Sequence, residues 1–135
     1  PEANKLPALL LGATLYQIRN EVFERFNAAI FKPKGPAEPR YYMKQYLVMF
    51  GEYIPFAKRW PEIYKSLGMA ELGIGKNWEA FEVDGVLVAP SICFENMLPQ
   101  AMQRQTAALS KSSQPPQVLV NLTNDGWFRG SSMLD

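Results

Sequence analysis

The segment from Gly85 to Asn96 restricts the fold more than any other part of this chain, because it predicts a strand that leads directly into a helix. The unbroken apolar run Val86 to Ala89 predicts a strand buried on both faces, as in α/β sheets. Cys93 lies at the junction, at the carboxyl end of the strand and near the positive end of a helix dipole, a position that favours the reactive thiolate. The helix is predicted from residues at helical spacing, namely Leu98, Ala101, Met102, Gln105 and Leu109.

Three further apolar runs predict strands on either side of this segment. Pro7 to Thr14 and Phe26 to Phe31 predict two adjacent strands of one sheet, with Tyr16 to Asn20 as a loop. Val118 to Leu122 predicts another buried strand, and its position after the helix implies a parallel, right-handed crossover from the Cys93 strand. Together these runs predict an α/β fold with a mixed sheet.

The middle of the chain has weaker patterns. Tyr41 to Pro55 is dense in aromatic residues and has poor periodicity, which suits an irregular segment that lines a site. Phe56 to Leu67 predicts a short helix, and Gly68 to Lys76, with three glycines, predicts a flexible connection. Asn77 to Val83 alternates in polarity and ends at Asp84-Gly85, which predicts a hairpin into the Cys93 strand.

Length and composition describe an ordinary globular chain. With 135 residues, 47% hydrophobic and 20% charged, residues 1–135 form one domain at most. The net charge of +1 gives no indication of nucleic-acid binding. No apolar run approaches the roughly 18 residues that span a bilayer. Because the chain starts without methionine and stops soon after a predicted strand, we expect a partial domain, truncated at both ends.

The chain contains no histidine. This absence excludes Ser-His-Asp and Cys-His catalysis within the chain, and also the usual zinc sites. If Cys93 is a nucleophile, its base must therefore be a carboxylate or a lysine. Cys93 is also the single cysteine, so the chain has no intrachain disulfide and its cysteine content does not indicate a redox compartment.

Taken one at a time, the candidate residues indicate little. A lone cysteine such as Cys93 is more often a small buried hydrophobe than a nucleophile. Lys44 is by default a solvated side chain, and Glu52 and Glu95 are by default surface acids, since a buried unpaired charge is costly.

Their combination is more specific. Tyr-x-Lys-x-x-Leu-Val-x-Phe-Gly-Glu-Tyr-x-Pro (42–55) is followed by Ile-Cys-Phe-Glu (92–95) and by Val-Asn-Leu-Thr-Asn-Asp-Gly-Trp-Phe (120–128). These motifs resemble those of the nitrilase, or carbon-nitrogen hydrolase, superfamily and, within it, the catalytic domain of apolipoprotein N-acyltransferases. The resemblance covers nearly the whole chain and implies a nitrilase-like αββα sandwich with mixed sheets, incomplete here.

The resemblance implies roles for four residues. Cys93 is the implied nucleophile, and Lys44 is implied to favour its thiolate and to stabilise the oxyanion. We expect Glu52 to orient Lys44 and Glu95 to shape the nucleophile loop. Phe94 stands where the family usually has tyrosine, so a phenolic hydroxyl is lost there.

The general base of the family is a further glutamate in a Trp-Pro-Glu-like context, well upstream of the strand that Leu9 to Ala13 match. Pro1-Glu2 has the right dipeptide. However, Glu2 lies too close to this strand for the intervening helix, because even short helices need about 8 residues. We therefore expect the base to lie outside this chain.

The activity that the resemblance implies is acyl transfer. A phospholipid donates a fatty acyl chain to Cys93 as a thioester, and the amine of a diacylglyceryl-cysteine apolipoprotein accepts it. The family works on the periplasmic side of the bacterial inner membrane, to which it is attached by segments that we expect to lie outside this chain. No cofactor, metal or nucleic acid is implied. Two alternatives stay open: a soluble nitrilase-type amidase, and an incomplete scaffold that lacks its base.

Overall fold

The structure is a computed structural model, and it describes residues 6–19, 21–59, 62–66, 71–112 and 115–123. Within these ranges, two short 3-10 helices, Ala57–Arg59 and Cys93–Met97, accompany the strands and α-helices. The longer elements are β1 (Leu9–Arg19), β2 (Val22–Lys32), β3 (Arg40–Met43), α1 (Glu62–Ser66), β4 (Phe81–Val83), β5 (Val86–Ile92), α2 (Pro99–Ser112) and β6 (Val118–Leu122).

The first sheet has the order β1-β2-β3, and both of its pairings are antiparallel. The prediction of two adjacent strands is confirmed, but both strands are longer than predicted. The predicted loop at Tyr16 to Asn20 is wrong for residues 16–19, because β1 continues through Arg19 and pairs there with Val22. Backbone pairing with β2 therefore outweighs the polar character of the segment. β3 takes up the start of the predicted irregular segment Tyr41 to Pro55.

The second sheet has the order β4-β5-β6 and is mixed, as predicted. β4 and β5 form the expected antiparallel hairpin, and the positive φ angles of Asp84 (50°) and Gly85 (83°) are those of a tight hairpin turn. β6 pairs with β5 in parallel, with Val118 opposite Val88 and Leu122 opposite Ile92.

The burial predicted for these strands is partly wrong. Val86 is 37% exposed, and the buried part of β5 is Ala89 to Ile92. This half of the strand contacts β2 of the first sheet and, at Pro90, Gln105 of the helix that follows. In β6, Val118 and Leu119 are 42% and 55% exposed, since β6 is the edge strand of its sheet in the described part of the chain.

The core lies between the two sheets. Its buried residues come from four strands: Ala29, Phe31, Tyr42, Phe81 and Ile92. The rings of Phe31 and Phe81 stack across the interface with centroids 4.9 Å apart. This packing brings the carboxyl ends of β3 and β5 to the same side of the molecule, so Lys44, which follows β3, lies in the same region as Cys93, which follows β5.

Helix α2 follows the 3-10 turn after Cys93 and begins at Pro99, a residue well suited to the first helical position. Its buried residues recur every four positions, which confirms the predicted helical spacing: Ala101, Gln105 and Leu109. The Gln105 amide donates to the carbonyl of Pro90 at 2.7 Å and so attaches the helix to β5.

The connection between the sheets differs from its prediction. The helix predicted for Phe56 to Leu67 is divided into Ala57–Arg59 and α1, and Trp60, Pro61 and Leu67 lie outside the described residues. The flexible connection predicted for Gly68 to Lys76 is wrong for its described part, because backbone N–H groups within 71–76 donate to neighbouring segments.

Candidate active site

Lys44 is fully buried directly after β3, where a lysine requires a partner. Its ammonium donates to both carboxylate oxygens of Glu52, at 2.8 Å to Oε1 and 2.7 Å to Oε2. The Glu52 side chain is itself only 1% exposed. The two residues form a buried ion pair, in which each charge compensates for the desolvation of the other.

Asn27 of β2 holds both members of this ion pair. Its side-chain amide donates to Glu52 Oε1 at 3.3 Å, and its backbone carbonyl accepts from the Lys44 N–H at 2.9 Å. The backbone N–H of Val48 donates to Glu52 Oε2 at 2.8 Å. These contacts leave the carboxylate with little freedom to rotate, so the position of the Lys44 ammonium is fixed as well.

Cys93 directly follows β5 and begins the 3-10 helix Cys93–Met97. Its φ of 53° lies in the left-handed region, which costs a residue other than glycine about 1–3 kcal/mol. The side chain is partly exposed, between buried Ile92 and half-exposed Phe94. The backbone therefore turns sharply at Cys93, and the partly exposed side chain also packs against the buried core cluster.

Glu95 connects the segments that carry Lys44 and Cys93. Its buried carboxylate accepts from the N–H of Ile92 at 2.8 Å, immediately before Cys93. It also accepts from the N–H groups of Gln45 (2.8 Å) and Tyr46 (3.1 Å), immediately after Lys44. A single carboxylate thus joins two chain segments that are about fifty residues apart in sequence.

The hydroxyl of Tyr42 completes the contacts of Glu95, at 3.0 Å from each carboxylate oxygen. Burial raises the pKa of Tyr42 far above the ordinary value for tyrosine, and the neighbouring Glu95 carboxylate raises it further. The hydroxyl therefore stays protonated, and acts as a hydrogen-bond donor, at every pH at which the protein is folded.

This raised pKa predicts a dependence of stability on alkaline pH. In the unfolded chain Tyr42 ionises near pH 10, whereas in the folded chain it does not. The folded state therefore binds the proton more tightly, so this contribution is fully present below about pH 10 and is lost as the pH rises further. In Tyr42→Phe the thermal midpoint should be lower at pH 8, by the equivalent of about 1.5–3 kcal/mol, and should fall less between pH 9 and 11.

The control for this prediction is Tyr16→Phe, since Tyr16 is 61% exposed. Its thermal midpoint should follow that of the wild type at every pH. Equal alkaline slopes in Tyr42→Phe and in the wild type would contradict the prediction.

Apolar side chains are exposed on the two segments that carry the candidate residues. They are Met49 (51%), Phe50 (70%), Phe56 (83%), Phe94 (46%) and Met97 (69%). Phe50 and Phe56 both have a φ of 63°, an uncommon backbone conformation for a bulky residue. The surface beside the site is therefore apolar.

The structure connects all four candidates, either through direct contacts or through the residues next to them in the chain. Lys44 and Glu52 are paired, and Glu95 binds the backbone next to Lys44 and next to Cys93. Glu2 and the motif residues 124–128 lie outside the described residues. Sequence reasoning included Tyr42 only as the first residue of the motif 42–55, with no role, and did not single out Asn27. A signal for Asn27 was its position as a polar residue within the apolar run Phe26 to Phe31.

Two further observations concern metals and membranes. Among the described residues, no group of three or more His, Cys, Asp or Glu side chains is placed to hold a metal ion. In the same part of the chain, no helix has the length and apolar character needed to cross a membrane.

No protein-family model matches the chain. In sequence it is similar to the apolipoprotein N-acyltransferase of Rhodopirellula baltica, with 34% identity over 133 residues, which cover 96% of this chain and 23% of the relative. The apolipoprotein N-acyltransferase of Pseudomonas paraeruginosa is 37% identical over 130 residues, which cover 93% of this chain and 24% of the relative. The chain thus spans about a quarter of the length of these relatives.

Two solved structures have the same fold at 14% sequence identity. A CN-hydrolase superfamily protein from Xanthomonas campestris superposes with a TM-score of 0.54 over 85% of this chain and 37% of its own. The glutamine-dependent NAD+ synthetase of Acinetobacter baumannii superposes with a TM-score of 0.56 over 92% of this chain and 22% of its own. The nitrilase-like fold and the resemblance of this chain to the apolipoprotein N-acyltransferases are therefore confirmed.

Proposed function

We propose that this chain carries the reactive site of an acyltransferase. The enzyme moves a fatty acyl chain from a phospholipid, through a thioester on Cys93, to the N-terminal amine of a diacylglyceryl-cysteine apolipoprotein. The observation that carries the proposal is the buried carboxylate of Glu95, because it holds the backbone next to Lys44 and next to Cys93 at once. The names of the similar proteins support the substrate class.

In the first step, the Cys93 thiolate attacks the ester carbonyl of the phospholipid. A C–S bond forms and the carbonyl oxygen becomes an oxyanion, next to which the Lys44 ammonium supplies positive charge. The oxyanion then collapses, the C–O bond of the ester breaks, and the lysophospholipid leaves with a proton from the general base, which took that proton when the Cys93 thiol ionised. A thioester of the fatty acyl chain is left on Cys93.

In the second step, the amine of the apolipoprotein attacks the thioester. A C–N bond forms, the C–S bond breaks, and the general base accepts the proton that the amine loses. Cys93 is restored as the thiolate. The general base is assigned to a carboxylate other than Glu52 and Glu95, because in the described part of the chain these two buried carboxylates already accept hydrogen bonds from Lys44 and from backbone N–H groups.

Glu52 and Glu95 have positioning roles in this proposal. Glu52 binds the Lys44 ammonium through both carboxylate oxygens and so fixes its location. Glu95 fixes the turn at Cys93 relative to the segment after Lys44. Such positioning matters because a misplacement of about 1 Å at a reacting group can cost roughly 10²-fold in rate.

The apolar surface beside the site supports a lipid substrate. Phe50, Phe56 and Met97 are each at least 69% exposed, and an acyl chain is a ligand for which such side chains are suited. For the parent protein we propose a location at the bacterial inner membrane, with the site on the periplasmic side.

Two alternatives are distinguished by the fate of the thioester. A nitrilase-type amidase would use the same residues but release the acyl group to water. A scaffold without its general base would form no thioester at all.

The experiment uses the full-length product of the gene that encodes this chain, in membranes supplied with a phospholipid that carries a labelled acyl chain. We expect a hydroxylamine-labile adduct that a diacylated lipopeptide discharges as an N-acylated product. Discharge by water alone, with no N-acylated product, would assign the site to an amidase. The absence of any adduct would contradict both enzymatic functions.

A further inference from the structure

The stretch Leu72 to Gly75, called the strap here, binds the backbone of both members of the buried ion pair. The N–H of Leu72 donates to the carbonyl of Glu52 at 3.1 Å, and the N–H of Gly75 donates to the carbonyl of Lys44 at 2.8 Å. One four-residue segment is thus hydrogen-bonded to the main chain of both residues. These contacts are separate from those that the Asn27 side chain and the Val48 N–H make with the Glu52 carboxylate.

Gly75 allows this contact because no side chain would fit there. A Cβ at this position would lie 2.7 Å from the carbonyl carbon of Met43 and even closer to its oxygen. Both atoms belong to the backbone at the end of β3, so they can yield only if the strand end moves. Met43 directly precedes Lys44, and any such movement is therefore passed on to the lysine.

Gly73 makes a second close approach within the strap. Its N–H donates to the carbonyl of Arg25 at 2.7 Å, which attaches the strap to β2. A Cβ here would lie 2.6 Å from Cζ and 2.8 Å from Cδ1 of the Phe26 ring. Phe26 is only 2% exposed, so its ring has little room to turn away. The two glycines thus serve close packing rather than flexibility.

We propose that the strap is a positioning element for the Lys44–Glu52 ion pair, and that Gly75 is its principal positioning residue. The strap sets where the Lys44 ammonium lies and does not itself touch the reacting atoms. The inference rests on the proposed function to the extent that the position of Lys44 controls the acylation of Cys93.

The principal test is Gly75→Ala in the full-length protein. We expect acylation of Cys93 by labelled phospholipid to slow by about 10²-fold, because the Lys44 ammonium is displaced. The matched control is Gly12→Ala, since nothing lies within 4 Å of a Cβ at that position. Its acylation rate should stay within about twofold of the wild type, as expected of a surface change. Wild-type acylation in Gly75→Ala would overturn the proposal.

A double-mutant cycle separates positioning from a general loss of structure. In a Lys44→Met background, Gly75→Ala should lower the residual acylation rate no further, because the group through which it acts is already absent. A further fall of the same size in that background would show that Gly75 acts independently of Lys44, and would overturn the proposal.

If Gly75→Ala does not fold, a second pair of variants, at Gly73 and Phe26, tests the proposal. Gly73→Ala should also slow acylation, and Phe26→Leu added to it should restore much of the rate, because leucine lacks Cε1 and Cζ, the two ring atoms nearest to the new Cβ. A failure of this rescue, with both proteins folded, would count against the strap.

A chemical readout separates the strap from the proposed function. If the wild type forms no thioester, the proposed function fails, and the strap is then tested through modification of Lys44 by acetic anhydride. Fully buried Lys44 should be protected in the wild type and in Gly12→Ala, and modified in Gly75→Ala. Equal protection in all three would overturn the strap proposal.

Discussion

The full-length protein with Cys93→Ser is expected to form no hydroxylamine-labile acyl adduct from phospholipid, and its N-acylated product should fall by at least about 10³-fold. Serine keeps nearly the same size, so the left-handed turn at residue 93 is retained. What is lost is the thiolate, since a serine hydroxyl does not ionise beside a lysine at neutral pH. The adduct is measured by mass spectrometry of the peptide that contains residue 93, and the product by transfer of label to a diacylated lipopeptide.

The matched control is Ser91→Ala, two residues earlier in β5. The Ser91 hydroxyl is buried and contacts the Asn121 side-chain oxygen at 2.9 Å, so its loss changes the same strand without touching the thiol. This variant should keep the adduct. A product that survives in Cys93→Ser would show that another residue carries the acyl group.

The second large effect is expected from the buried ion pair. Glu52→Gln leaves the Lys44 ammonium buried without a compensating charge, which should lower the free energy of unfolding by about 3–5 kcal/mol. Lys44→Met should be destabilising in the same way, because it leaves the carboxylate alone, and should also slow acylation by about 10²–10³-fold. Thermal midpoints in detergent give the stability effect, and labelled phospholipid gives the rate.

In the double variant Lys44→Met/Glu52→Gln, the loss of unfolding free energy should be smaller than the sum of the losses in the two single variants, since neither charge is then left alone.

The control for the loss of a carboxylate is Asp84→Asn, which breaks the exposed Lys34–Asp84 ion pair. This pair is as short, at 2.6 Å, but its side chains are 54% and 68% exposed. Asp84→Asn should change stability by less than about 1 kcal/mol. If Asp84→Asn and Glu52→Gln lowered the free energy of unfolding equally, burial would not be the reason for the large effect expected at Glu52.

Local signals in the sequence predicted much of the fold. The Asp84-Gly85 turn was predicted correctly because the backbone of such a turn needs residues that accept positive φ. The existence of β5, the strand after this turn, was predicted correctly, but the burial of its first residues was not. Which half of β5 is covered depends on contacts with β2, which lies more than fifty residues earlier, and a local pattern does not contain that information.

The candidate residues came from the combination of three motifs, whereas their supporting contacts could not be predicted. Asn27 meets Glu52 across 25 residues of sequence, and Tyr42 meets Glu95 across 53. Both contacts depend on how the sheets pack. Gly75 shows a different difficulty, because glycine serves both flexible connections and close packing, and the sequence pattern is the same for both.

At Cys93, whose backbone is left-handed, the requirements of the proposed reaction differ from those of fold stability. A glycine at this position would relieve the strain, so selection for stability alone would not retain cysteine there. In a descendant that no longer needs the reaction, residue 93 would be free to drift toward glycine or asparagine. The residue found at this turn is therefore a marker of whether a given lineage still depends on the chemistry or keeps only the scaffold.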